Sequence, residues 1–182
     1  MVEQLVERIR QKDQRAMSQL YQMYIEELSS VCYRYVPSES DAKDVLQNSF
    51  VKIFTSVPTI DYRDEPSFRG WMKKVVVNEA LTFLKEKKKL QFMAQEIDNL
   101  DIPDDEPSTE RITADELHQL ISELPDGYRT VMNLYVFEGK SHQEIARLLG
   151  IKKDTSASQF YKAKKMLAKM IKKYNDNNPP RR

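Results

Sequence analysis

Residues 141–167, SHQEIARLLGIKKDTSASQFYKAKKML, decide the reading of the whole chain. Ser141 followed three residues later by Glu144 is the pattern of a capping box, in which hydroxyl and carboxylate satisfy backbone donors at a helix start. The helix that follows is short, because Gly150 supplies the left-handed conformation in which helices end without a Cβ clash. After Ile151–Lys153 a longer helix begins near Asp154, with Phe160, Ala163, Leu167, Met170 and Tyr174 recurring at helical period along one inward face. Ser156 falls on the same stripe. Ala146 stands where the two helices must approach closely, and Ile145 and Leu149 point to a shared core. A short helix, a glycine turn and a longer basic helix form the helix-turn-helix plan, whose second helix enters the major groove of DNA. The face opposite the apolar stripe is expected to carry Thr155, Ser158, Gln159, Lys162, Lys165 and Lys169. The lysines suit phosphates, while Ser158 and Gln159, near the helix start, are the expected readers of base edges.

Working outward, the composition supports helices throughout. The 182 residues include only four glycines and eight prolines, and the abundant Leu, Met, Lys, Glu and Gln lose little rotamer freedom in helices. An all-α fold is therefore expected. The lone Cys32 cannot form an intrachain disulfide, and no apolar run reaches the length of a signal-peptide core or a membrane span, so the expectation is a cytoplasmic protein without membrane insertion. The net charge of +1 conceals strong segregation. Residues 94–126 hold eleven acidic side chains and one basic, Arg111, whereas residues 151–182 hold ten basic and two acidic. The C-terminal segment thus has the electrostatic footprint of a phosphate binder.

Within the acidic part of the chain, residues 91–109 contain QEIDNLDIPDDEPST, where acids, prolines and polar residues replace any apolar period. This reads as a flexible acidic linker between two small helical domains, residues 1–90 and 110–182. In the first, helical periodicity runs through Leu5, Ile9, Met17, Leu20, Tyr24 and Leu28 and continues to about Tyr35, where Pro37 interrupts it. Ser38 with Asp41 suggests a capping box for a second helix, whose Ala42, Leu46, Phe50, Ile53 and Val57 share one face. Its opposite face carries Asp41, Asp44, Gln47, Asn48 and Lys52. A third helix begins near Pro66, a residue suited to a first turn, and runs to the KEKKK cluster at residues 85–89. It aligns Trp71, Lys74, Asn78, Thr82 and Lys85 along one stripe, an aromatic ring beside amide and ammonium donors, which suits single-stranded DNA. In the second domain Pro125 opens a helix that Gly139 closes.

LPDGYRTVMNLYVFEGKSHQEIARLLGI, followed by the basic helix, resembles region 4 of the extracytoplasmic-function sigma factors of bacterial RNA polymerase. SDAKDVLQNSFVKIF at residues 40–54 is similar to region 2.2 of that family, and FRGWMKKVVVNEALTFLKEKKK at residues 68–89 to regions 2.3 and 2.4. The matches follow the family's order and spacing, and no room remains between them for the middle domain of housekeeping sigma factors. The resemblance implies that Asp41, Asp44, Gln47 and Asn48 contact the clamp helices of the polymerase β′ subunit, since carboxylates and amides on one helix face can pair with a basic partner and repel phosphates. It implies that Arg69, Trp71, Lys73, Lys74, Asn78 and Lys85 hold the opened minus-ten strand, with the loop 58–65 corresponding to the family's base-capturing loop. Thr155, Ser158, Gln159, Lys162 and Lys165 would meet the minus-thirty-five duplex, and the C-terminal domain the β flap. An anti-sigma factor is a further implied partner, and no cofactor or metal is implied. The chain departs from the family pattern at Ser156, where Val is common, at Asp154, where Gly is frequent, and at Ala157 and Gln159, which replace basic residues.

Two other readings stay open at this point. A stand-alone helix-turn-helix regulator would use the first domain to dimerise or sense a ligand, and would bind palindromic duplex DNA without polymerase. A protein-binding helical scaffold would show no salt-dependent DNA affinity. An enzyme finds little support, because His118 and His142 lie in separate polar contexts and neither a glycine-rich phosphate loop nor metal-ligand spacing occurs.

Overall fold

In a computed structural model of the chain, residues 1–87 and 112–178 are described below. The expected linker, residues 91–109, and Lys88 and Lys89 of the basic cluster lie outside them. The described residues form eight α-helices and no strand: α1 Val2–Arg10, α2 Gln14–Tyr35, α3 Glu39–Ser56, α4 Glu65–Glu86, α5 Ala114–Ser122, α6 Asp126–Val136, α7 His142–Leu149 and α8 Lys153–Asn177. The chain divides into two compact units, Met1–Lys87 and Lys88–Arg182.

In the first unit α2, α3 and α4 pack pairwise against one another, and α1 lies on α2. The long period read as one helix from Leu5 to Tyr35 is broken in the structure. Lys12 takes a left-handed backbone with φ 63°, and Asp13 then caps α2, its Oδ1 accepting from the Arg15 and Ala16 backbone N–H groups at 2.8 and 3.2 Å. The apolar stripe survives the break because Leu5, Ile9, Leu20, Tyr24 and Leu28 are all buried. Ser38 caps α3 through the Asp41 N–H at 3.5 Å, but the reciprocal half of a box is not made; the Ser38 hydroxyl instead lies 3.3 Å from that of Ser40. Asp64 caps α4 by accepting from Ser67 N–H at 2.7 Å, and Pro66 sits in the first turn, where a missing N–H has no cost. Phe68, Met72, Val76, Val77, Ala80, Leu81 and Leu84 bury the inner face of α4. Burial of this stripe holds together a helix that Gly70 and three successive valines would weaken in isolation.

A single 3₁₀ turn, Val57–Thr59, leads from α3 into the loop before α4. Val57 is fully buried, and α1 packs on this turn. Arg10 at the end of α1 donates from Nη2 to the Ile60 carbonyl at 2.6 Å and from Nη1 to Glu7 at 2.6 Å. Tyr62 packs on Phe68 with ring centroids 5.7 Å apart, so the loop is held from both sides.

In the second unit Ile121, Leu124, Tyr128, Met132 and Ala163 form a core, with Leu117, Phe160, Met166, Leu167 and Met170 packed around it. The helix α5, which sequence reading did not single out, starts with a complete capping box between Thr113 and Glu116 and is joined to α8 by the Tyr174 hydroxyl donating to Glu116 Oε1. Arg129 is buried and clasps the turn between α5 and α6, donating to the Ser122 and Leu124 carbonyls at 3.2 and 2.6 Å and pairing with Asp126. Ser141 and Glu144 form the expected capping box for α7. Gly150, at φ 69°, ends that helix, and Ile151 N–H then returns to the Ala146 carbonyl at 3.0 Å. Ala146 is buried on α7, which packs against α8.

Candidate nucleic-acid interface

Three surfaces carry the candidate residues. On α3, Asp44, Gln47 and Asn48 are exposed and line one shallow cleft with Phe83, Glu86 and Lys87 at the end of α4. Asp41 is half-buried and turned toward Lys87, whose Nζ lies 4.0 Å from its carboxylate. Lys52 pairs with Glu79 of α4, so this cation ties two helices together.

On α4, Lys74, Asn78, Thr82 and Lys85 are exposed along one stripe that starts at the half-buried Trp71. The Trp71 indole packs against Phe68 with centroids 5.5 Å apart, which fixes the ring at the border between core and solvent. Arg69 and Lys73 lie to one side of this stripe, and both are engaged by Glu27 of α2. Arg69 donates through Nε and Nη2 at 3.1 and 2.7 Å, and Lys73 Nζ lies 2.7 Å from the same carboxylate. The Arg69 hydrogen bonds above all, opposed next by burial and helped by Lys73, hold the Glu27 carboxyl below the usual carboxylate range. Close by, the Tyr24 hydroxyl donates to Glu65 at 3.1 Å, and burial with that bond raises its pKa far above the ordinary value.

On α8, Ser158 and Lys169 are exposed, and Thr155, Lys162 and Lys165 are half-buried at the edge of the apolar stripe. Gln159 departs from expectation. It is only 4% exposed, and its Oε1 is buried without a hydrogen-bond partner among the described residues. The physical reason lies in helical spacing: Gln159 is three residues after Ser156 and four before Ala163, both fully buried, so it belongs to the flank of the inward stripe. Its expected place on the DNA-facing surface is therefore corrected. The outward face of α8 carries instead a residue the sequence reading passed over, Tyr161, which is 57% exposed and whose ring lies under the Lys165 ammonium, 4.9 Å from the centroid. The signal was available, since a large aromatic outside the apolar stripe and at helical spacing from Ser158 and Lys165 has no core to fill. Glu27 left no such signal, because its partners lie 42 and 46 residues away in sequence and only the fold joins them.

The second helix of the motif, α8, is also held by the start of the first. His142, the first residue of α7, stacks on Tyr135 at 4.7 Å, and its Nδ1 lies 3.0 Å from the Ser156 hydroxyl on α8. At the end of α6 and just beyond it, Tyr135, Val136 and Phe137 present apolar surface to solvent. Among the described residues no group of His, Cys, Asp and Glu side chains could hold a metal ion, and no helix is long and apolar enough to cross a membrane.

Comparison with known proteins gives this geometry a family. Residues 20–90 match the model for sigma-70 region 2, and residues 114–167 that for sigma-70 region 4. The sigma factor SigV of Bacillus subtilis is 30% identical over 75% of this chain and 80% of its own length. The extracytoplasmic-function sigma-E factor of Haemophilus influenzae is 29% identical over 92% of this chain and 93% of its own. The sigma-H factor of Pseudomonas aeruginosa is 26% identical over 93% of both. A solved structure of CnrH in complex with the cytosolic domain of CnrY aligns with a TM-score of 0.48 and 19% identity, covering 96% of this chain and 97% of that one. With the models of both regions matched in order along the chain, this chain belongs to the extracytoplasmic-function sigma factors, which direct bacterial RNA polymerase to promoters and start transcription there.

Proposed function

We propose a division of labour between the two units. The first docks on the β′ clamp helices through Asp41, Asp44, Gln47 and Asn48, and holds the melted minus-ten strand on the stripe from Trp71 through Lys74 and Asn78 to Lys85, with Arg69 and Lys73 beside it. What supports the docking role is chemical: Asp44, Gln47 and Asn48 offer acceptors in one cleft, a surface that attracts basic protein side chains and repels phosphate. The loop before α4 is the segment that receives a base taken out of the stack, a task that requires a fixed cradle. Its anchorage through Arg10, Tyr62 and Asp64 supplies one.

The second unit reads the minus-thirty-five duplex through α8. Lys162, Lys165 and Lys169 engage phosphates, and Ser158, Thr155 and Tyr161 face the bases and sugars. The apolar patch of Tyr135, Val136 and Phe137 suits a partner protein, because contiguous exposed apolar side chains favour protein contacts over solvent; the β flap is the partner proposed for this unit. An anti-sigma factor is a further partner proposed for the chain as a whole. No bond-making chemistry is assigned to the chain, in keeping with a family of initiation factors.

The observation that carries this reading is the placement of cations and hydrogen-bonding groups on the outward faces of α4 and α8, one helix in each unit, in a chain of net charge only +1. The test is promoter-dependent run-off transcription with purified bacterial core polymerase on fragments of the source genome. Specific transcripts that require the protein are the expected result. Absence of both transcripts and co-elution with core polymerase would overturn the reading.

A further inference from the structure

Arg69 and Lys73 stand one helical turn apart on α4 and converge on a single carboxylate. Glu27 Oε1 takes the Arg69 Nη2 and the Lys73 Nζ, both at 2.7 Å, while its Oε2 takes the Arg69 Nε at 3.1 Å. The two cationic side chains remain 47% and 39% exposed, and Glu27 is 28% exposed. Glu27 is therefore not required to neutralise a buried charge, and pairs this open to solvent contribute little to folding. What the arrangement reproduces is a bonding pattern: one oxyanion, two oxygens, accepting from a guanidinium and an ammonium side by side, as a DNA phosphate does.

We propose that Glu27 is an internal stand-in for a backbone phosphate, occupying Arg69 and Lys73 until a DNA strand exchanges its own phosphate for the carboxylate. The inference rests on the reading of α4 as a strand-binding helix. Two cations sharing one carboxylate present a net single positive charge, so an incoming strand is held less tightly whatever its sequence. A phosphate contact carries no base information. Capture then depends more heavily on the groups that do, along the stripe from Trp71 to Asn78. Glu27 thus sets the level of sequence-independent affinity of the first unit.

The test uses the full chain assembled with core polymerase and follows binding of fluorescent oligo(dT) and oligo(dA) by anisotropy over a range of salt concentrations. Glu27→Gln keeps the shape and removes the charge. It should tighten binding of both oligonucleotides about fivefold at low salt and steepen the dependence of log K on log salt by roughly 0.7, the value for one more neutralised phosphate on a single strand. The gain should vanish at high salt. Arg69→Ala with Lys73→Ala should weaken binding, and adding Glu27→Gln to that pair should change nothing further. If the alanine pair weakens binding but Glu27→Gln alone leaves it unchanged or weaker, the stand-in role is overturned and the strand-binding role of α4 stands. If the alanine pair has no effect, these two cations do not meet the strand and the inference falls with that reading.

Discussion

His142 Nδ1 lies 3.0 Å from Ser156 Oγ, so the first residue of α7 is tied directly to the first turn of the helix proposed to enter DNA. Ser156 is fully buried, and the bond is shielded by the stacked Tyr135 ring and by Phe160, 5.8 Å from the imidazole. Ser156→Ala should leave the histidine without this partner and destabilise the second unit by about 1 kcal/mol. Urea denaturation of the full chain, followed by circular dichroism, gives the number. An unchanged midpoint would mean that packing alone sets the angle between the two helices.

Gln159 predicts an effect of opposite sign. A buried amide oxygen without a partner carries a desolvation penalty that an apolar side chain of similar volume does not. Gln159→Met should raise stability by about 1 kcal/mol. Binding assays on a panel of minus-thirty-five variants should show the same rank order for mutant and parent. A changed preference at one base pair would return Gln159 to the reading surface.

For Tyr161 the expectation is loss of binding without loss of fold. Its ring is mostly in solvent, so Tyr161→Ala should leave the denaturation midpoint almost unchanged while weakening duplex binding by about 0.5–1.5 kcal/mol, the range for one hydrogen bond. Lys162→Glu and Lys165→Glu should instead flatten the salt dependence, each by roughly 0.9 in the log–log slope. Equal slopes for parent and lysine variants would place these side chains away from the phosphates.

Cys32 gives a prediction in pH. The thiol is fully buried beside the Ala42 carbonyl, and burial pushes its pKa up from 9.0 to about 12. Because the thiolate is the reactive form, a thiol reagent at pH 8 should label Cys32 only after denaturant unfolds the first unit. The linkage has a definite sign: above pH 9 the unfolded chain releases a proton that the folded one retains, so stability falls as pH rises from 9 towards 12. Cys32→Ala should remove the part of the decline that sets in near pH 9 and leave the part above pH 10 to which Tyr24, also raised by the fold, contributes; pH-dependent melting would separate the two. Rapid labelling of the native chain would contradict the burial.

How much of this was legible in the sequence depends on what each residue leaves in a linear pattern. The capping box of Ser141 and Glu144, the left-handed Gly150 and the stripe from Phe160 to Met170 are local signals, and they place α7 and α8 almost to the residue. The break between α1 and α2 was hidden because Ile9 and Leu20 keep a spacing that a continuous helix would also give. Only Asp13, as a cap, marks it. The Thr113 and Glu116 box was equally local, yet the acids around it merged into the tract before it. Gln159 was misplaced for a deeper reason: a hydrophobic pattern assigns the inside by apolarity, and so cannot register a polar side chain packed there. Glu27 with Arg69 and Lys73 belongs to the tertiary fold alone.

The bond from Arg10 to the Ile60 carbonyl bears on how this family's region 2 is delimited. The family match begins at Leu20, after α1 has ended, yet α1 covers Val57 and grips the loop before α4. A fragment trimmed to residues 20–90 would keep α3 and α4 whole, lose the Asp13 cap and first turns of α2, and lose the brace behind the segment proposed to receive a base. Such a fragment would leave the loop before α4 slack, and the outline drawn by the family match is therefore smaller than the unit that holds this loop in place.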